Sequence, residues 1–129
     1  MIGIDSDCII DFLNGDPKAV EAVRKYKEEI VTTEINIFEV FFGIYTNKNI
    51  SKNHEEDTQL FFDSIKILNI DGWGIKAAKL LTNLIKKGKI VEQNDCLIAS
   101  IMLAKGCNKI ITRNIKHFSR ISDIEAIPY

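Results

Sequence analysis

A disulfide framework is the first thing this chain lacks. Its three cysteines, Cys8, Cys96 and Cys107, form an odd set with no CxxC pair. That pattern excludes a stapled fold and a cysteine zinc site, and it reads as reduced thiols in a cytoplasmic protein. Proline is scarce, at two in 129 residues, and glycine numbers seven, so collagen-like and low-complexity classes fall away. No uncharged apolar stretch approaches the ~18 residues a membrane span requires. The opening Met-Ile-Gly-Ile-Asp5 has no basic leader ahead of an apolar run, so neither a secretory signal nor a membrane partner is expected. What is present is 46% hydrophobic and 27% charged residues, enough for one core without a staple, and residues 1–129 read as a single domain.

Charge of one sign is also missing, since the formal net charge is −1. The halves nevertheless differ: residues 1–71 hold 14 acids against 7 bases, and residues 72–129 hold 4 against 10. No acid lies between Asp95 and Asp123, where Lys105, Lys109, Arg113, Lys116 and Arg120 stand. Such a stretch is either a local phosphate-contacting surface or a solvated basic face.

Short apolar runs at Ile2–Ile4, 30–32, 67–70 and 109–112 read as strands, with a last one near Ala126 and Ile127. Helical spacing fills the intervals: 8–13, a helix opened by Pro17, 34–45 capped by Thr33, about 59–65, 72–87 capped by Asp71, and 95–105 capped by Asn94. In the 72–87 helix, Ile75, Ala78, Leu81 or Thr82 and Ile85 recur at helical spacing. Alternation of strands with long helices predicts an α/β fold, a three-layer α/β/α sandwich around a central parallel sheet.

Open parallel sheets place ligand sites beyond the carboxyl ends of their strands. Two predicted strands end there in polar residues, one in Asp5-Ser6-Asp7 and one in Thr112-Arg113-Asn114. Glu39 lies in a helix that is apolar almost all round, on a wheel position near Ile35, Phe42 and Gly43. Burying a lone carboxylate costs several kcal/mol without a compensating cation or donors. Asp95 falls in a first helical turn, where the helix dipole alone accounts for an acid. Should Asp5, Glu39, Asp95 and Asn114 converge, the oxygen-rich set suits a hard ion, Mg²⁺ or Mn²⁺. The apolar 35–45 helix favours a homodimer or coverage by another chain.

These segments also resemble a known family in order along the chain. Ile-Asp5-Ser6-Asp7 resembles its opening hydrophobic-Asp-Thr/Ser-Asn/Asp, and Thr33-Glu-Ile-Asn-Ile-Phe-Glu39-Val-Phe-Phe-Gly43 its Thr-x5-Glu-x3-Gly helix. Asn94-Asp95-Cys-Leu-Ile-Ala-Ser100 is similar to its Asp-x-Leu-Ile-Ala-Ala signature, and Thr112-Arg113-Asn114-Ile-Lys-His117-Phe118 to the Thr-Arg-Asn-x-x-His/Asp-Phe segment of its toxin members. This is the PIN-domain family, most like VapC-type toxins of toxin–antitoxin pairs.

The resemblance implies the PIN fold and a Mg²⁺- or Mn²⁺-dependent endoribonuclease. Asp5, Glu39 and Asp95 would be its acidic metal site, with Asn114 at the edge where many PIN nucleases carry an acid. Ser6 and Thr112 would be supporting hydroxyls. Arg113, Lys116, His117 and Arg120 would grip RNA, and His117 reads either as a general acid or as a packing or phosphate-contact residue. A cognate antitoxin is the implied partner, with DNA met only through it. Two rival readings stand beside this one. A PIN-like module could bind RNA or protein without cutting. Asp5-x-Asp7 also resembles haloacid-dehalogenase phosphatases, with Asp5 as nucleophile and Asp7 as acid.

Overall fold

The structure is a computed structural model describing residues 1–47, 52–69 and 72–129. Among these residues five strands, β1 (Ile2–Ile4), β2 (Ile30–Thr33), β3 (Lys66–Leu68), β4 (Lys109–Ile111) and β5 (Glu125–Ile127), form one sheet in the order β3-β2-β1-β4-β5. Every neighbouring pair is parallel, with Gly3 paired to Val31 on one side and Ile110 on the other. The chain builds outward from β1 through β2 to β3, then returns to β1's free side with β4. The strand order therefore reverses beside β1, where open α/β sheets leave a crevice at the carboxyl ends.

Among the described residues, seven helices accompany the strands: α1 (Ser6–Leu13), α2 (Pro17–Lys25), α3 (Glu34–Thr46), α4 (Lys52–Asp63), α5 (Trp73–Lys86), α6 (Gln93–Ala104) and α7 (Ile115–Phe118). Successive strand residues point to opposite faces, so the sheet feeds two cores. Ile2, Ile4, Ile30 and Ile111 pack with Cys8 and Ile9 of α1, Val40 and Ile44 of α3, and Phe61 and Phe62 of α4. Val31, Leu68 and Ile110 pack on the other face with Leu84 of α5, Cys96 to Met102 of α6, and Phe118 of α7. This is the expected three-layer sandwich. Gly3 is small for a reason: a Cβ there would fall 2.2 Å from the end of Met102. Among the described residues, no helix is long and apolar enough to cross a membrane.

Several expectations need correction. The buried face of α5 is Ala77 and Leu84, flanked by Trp73, Leu80 and Leu81; Ile75 and Ile85 are both 68% exposed. α4 begins at Lys52 rather than near residue 59. Asn94 is not a cap, because α6 starts at Gln93 with Glu92 in the N-cap position. The expected Asp71 cap and the Ile70 strand end lie outside the described residues. Of the basic stretch, Lys109 is paired with Glu125 at 3.5 Å and Arg113 with Asp11 at 3.2 Å, so part of its charge is neutralised.

Thr33 caps α3 as expected and does so within a capping box. Its hydroxyl and the Asn36 side chain each meet the other's backbone N–H, and Thr33 Oγ1 donates to Asn36 Oδ1 at 2.7 Å. Both residues are fully buried. Thr33→Ala is expected to lower stability by about 1–2 kcal/mol, read as a lower urea midpoint.

Candidate active site

The first site residue follows directly from β1. Asp5 leaves the strand in extended conformation, caps α1 by accepting the Ser6 N–H at 2.8 Å, and is 6% exposed. Capping is thus real, yet the carboxylate does more. Its Oδ1 also accepts from Asn36 Nδ2 at 3.2 Å, and its Oδ2 accepts from Thr112 Oγ1 at 2.8 Å. Segments ending β1 and β4 and the first turn of α3 therefore meet on one carboxyl group.

Glu39 lies on α3 three residues beyond Asn36, so one helix face carries both. It is half-buried. Its Oε1 accepts from Ser6 Oγ at 2.8 Å, and that hydroxyl in turn accepts from Asn36 Nδ2 at 3.0 Å. Its Oε2 receives a long contact from Asn94 Nδ2 at 3.4 Å. The helix around it is less enclosed than expected, since Phe38, Phe42 and Tyr45 are 59–67% exposed.

Asp95, 7% exposed in the first turn of α6, forms the third corner. Asn114 Nδ2 donates to its Oδ2 at 2.8 Å, while Asn114's own N–H donates to Thr112 Oγ1 at 2.9 Å. His117 Nδ1 stands 3.0 Å from the same Asp95 oxygen. A continuous chain of contacts thus runs from Glu39 through Ser6, Asn36, Asp5, Thr112 and Asn114 to Asp95.

The electrostatics are those of a pocket short of positive charge. Burial, and then Asp7, push the Asp5 carboxyl up to about 7, although the Thr112 and Ser6 donors pull the other way. Burial also raises Asp95, opposed by its hydrogen bond to His117. Asp7 is raised by burial as well; its Oδ2 accepts the Arg113 N–H at 3.1 Å, and its buried Oδ1 has no partner. Acids that resist ionisation in isolation suit a divalent cation, and oxygen donors suit Mg²⁺ or Mn²⁺.

The residues predicted to meet RNA are placed less uniformly. Lys116 is exposed at the rim. Arg113 is exposed but tied to Asp11, and the Arg120 guanidinium donates to the Ile90 carbonyl. His117 is drawn onto Asp95. Sequence reasoning missed Asn36 and Asn94 as site residues. The Thr33-x-x-Asn36 spacing of a capping box was the available signal for the first. Asn94 was read as a cap; no local pattern points it across to Glu39.

The PIN domain family profile matches residues 2–124. Ribonuclease VapC2 of Rickettsia felis is 29% identical over 126 residues, covering 94% of this chain and 92% of that protein. Among solved structures, VapBC2 from Rickettsia felis bound to a promoter DNA fragment superimposes with a TM-score of 0.86 at 23% identity, over 100% of this chain and 99% of that one. DNA-bound VapBC from Salmonella typhimurium gives 0.84 at 20% identity, over 99% and 98%. VapBC-1 from nontypeable Haemophilus influenzae gives 0.81 at 24% identity, again over 99% and 98%. These structural likenesses establish the fold, and the matched profile spans nearly all the elements that carry the acidic pocket. The chain belongs to the PIN domain family.

Proposed function

We propose that this protein is a Mg²⁺- or Mn²⁺-dependent endoribonuclease, acting as the toxin of a VapBC-type toxin–antitoxin pair. The observation that carries the reading is the chain of hydrogen bonds that links Asp5, Glu39 and Asp95 through Ser6, Asn36, Thr112 and Asn114. A structural origin for all three is hard to sustain, because capping accounts for Asp5 Oδ1 only and leaves Glu39 without a fold role. The ribonuclease relative, aligned along nearly the whole chain, supports the same substrate class.

When bound, a divalent ion supplies an activated water and neutralises charge growing on the phosphoryl oxygens. Asp5 and Asp95 would hold it, with Glu39 completing the site or orienting the water. Ser6 and Asn36 fix the Asp5 and Glu39 side chains relative to each other. Thr112 and Asn114 do the same for Asp5 and Asp95. Such bracing lets the carboxylates keep position without paying reorganisation when substrate arrives. Lys116, Arg113, His117 and Arg120 would hold RNA phosphates. Unstacked single-stranded loops reach such a recessed site more readily than duplex.

The antitoxin and a second copy of the chain are proposed as partners. The exposed Phe38 and Phe42, stacked at a centroid distance of 5.7 Å, together with Tyr45 present the apolar surface such partners would cover. Contact with DNA would come through the antitoxin alone. The test is cleavage of a labelled single-stranded RNA by the purified chain. Activity is expected with Mg²⁺ or Mn²⁺, to vanish with EDTA and to return on adding the ion back. RNA left intact under all metal conditions would favour the non-cutting module.

A further inference from the structure

We propose that His117 is a direct nitrogen ligand of the divalent cation held at Asp95, with Glu92 as an outer oxygen ligand. The inference rests on the reading that this pocket holds a cation, and it adds two ligands that the acidic triad does not include. Among the described residues, Glu92, Asp95 and His117 are the group of three ligating side chains whose donor atoms all lie within 4.8 Å of one another. No group containing Asp5 or Glu39 closes as tightly among those residues.

The geometry suits coordination. Glu92 and Asp95 are three residues apart at the start of α6, so both carboxylates project from one side of its first turn. His117 comes from α7, where Asn114, three residues before it, holds both partners: its Nδ2 lies 2.8 Å from Asp95 Oδ2 and 2.9 Å from His117 Nδ1. The Nδ1 to Oδ2 separation is 3.0 Å. Two donors at right angles around an octahedral ion with bonds of about 2.1 Å stand about 3.0 Å apart, so this pair has the separation of adjacent ligands once Nδ1 is unprotonated and its lone pair is turned from the Asn114 donor to the ion. Glu92 is exposed, which leaves the ion a path from solvent.

An imidazole ligand changes the chemistry of the centre. Oxygen-only sets suit Mg²⁺, whereas one nitrogen donor shifts preference toward Mn²⁺ and the later transition ions. The site is accordingly expected to bind Mn²⁺ more tightly than Mg²⁺. His117 then moves from the RNA-contacting set to the ion's own ligands.

The experiment adds Mn²⁺ alone to the metal-stripped full chain, unlabelled and with ¹⁵N-histidine, and records pulsed electron paramagnetic resonance of the bound ion. The expected result is a directly coupled imidazole nitrogen whose signal changes with the label and disappears in His117→Gln. Mn²⁺ affinity is expected to fall by about tenfold or more in that variant, and Mg²⁺ affinity by less. Glu92→Gln, at an exposed position that does not threaten the fold, is expected to weaken Mn²⁺ several-fold while keeping the nitrogen signal. Bound Mn²⁺ without histidine coupling would overturn the ligand assignment and leave the metal centre standing. No Mn²⁺ binding at all would overturn both.

Discussion

Asp95→Asn is expected to lower divalent-dependent RNA cleavage by roughly 10³-fold while leaving the fold intact. The substitution is isosteric. It keeps one carbonyl oxygen for the Asn114 donor, now at 2.8 Å from Asp95 Oδ2, and removes only the charge. Asp95 is 7% exposed, so little solvent would replace that charge. Asp5→Asn should be equally damaging, and the double variant little worse than either single one, because ligands of one ion act as a unit. Single-turnover cleavage in excess Mg²⁺ measures this. Independent, multiplying losses would mean that the two carboxylates do not share an ion.

Asp5→Asn is expected to do the opposite to stability. In the folded chain this carboxyl titrates near 7, against an ordinary value of 3.8, chiefly because it is buried. Between those values the native state binds more protons than the unfolded state, so stability falls as pH rises through the window. Above it the charged form carries the whole penalty, on the order of 4 kcal/mol without divalent ions. An amide at position 5 can still accept from Ser6 and Asn36 and can donate to the rotatable Thr112 hydroxyl. Urea denaturation in EDTA should therefore show the variant more stable than the wild type at pH 8 and nearly equal at pH 4. The same advantage at both pH values would place its origin in packing.

Asp5 and Glu39 stood out because ordinary folding rules left them awkward, whereas Asp95, where the helix dipole already favours an acid, stood out only through its similarity to the Asp-x-Leu-Ile-Ala-Ala signature. Asp5 ended a buried strand, Glu39 interrupted an apolar helix, and Asp95 began another. The strands were equally plain, since Ile2–Ile4 and Lys109–Ile111 are apolar runs too short for helices. Legibility failed where two patterns coexist. α5 carries one apolar stripe through Ala77 and Leu84 and another through Ile75 and Ile85; periodicity alone cannot say which the sheet covers. α4 begins in a polar stretch, and its buried Phe61 and Phe62 come only at the end, so its first turns looked like a loop. For Asn36 the capping-box spacing marks a helix start and not the Asp5 contact 31 positions away, and for Asn94 no local pattern spans the 55 positions to Glu39.

Thermal melting at pH 7.5 during a Mn²⁺ titration addresses the gathered carboxylates most directly. Linkage requires that an ion bound by the native state raise the midpoint progressively with concentration. The wild type is expected to show that rise, and the Asp5→Asn, Asp95→Asn double variant to start higher and stay flat. A wild-type midpoint indifferent to Mn²⁺, or a rise of equal size in the double variant, would contradict the account.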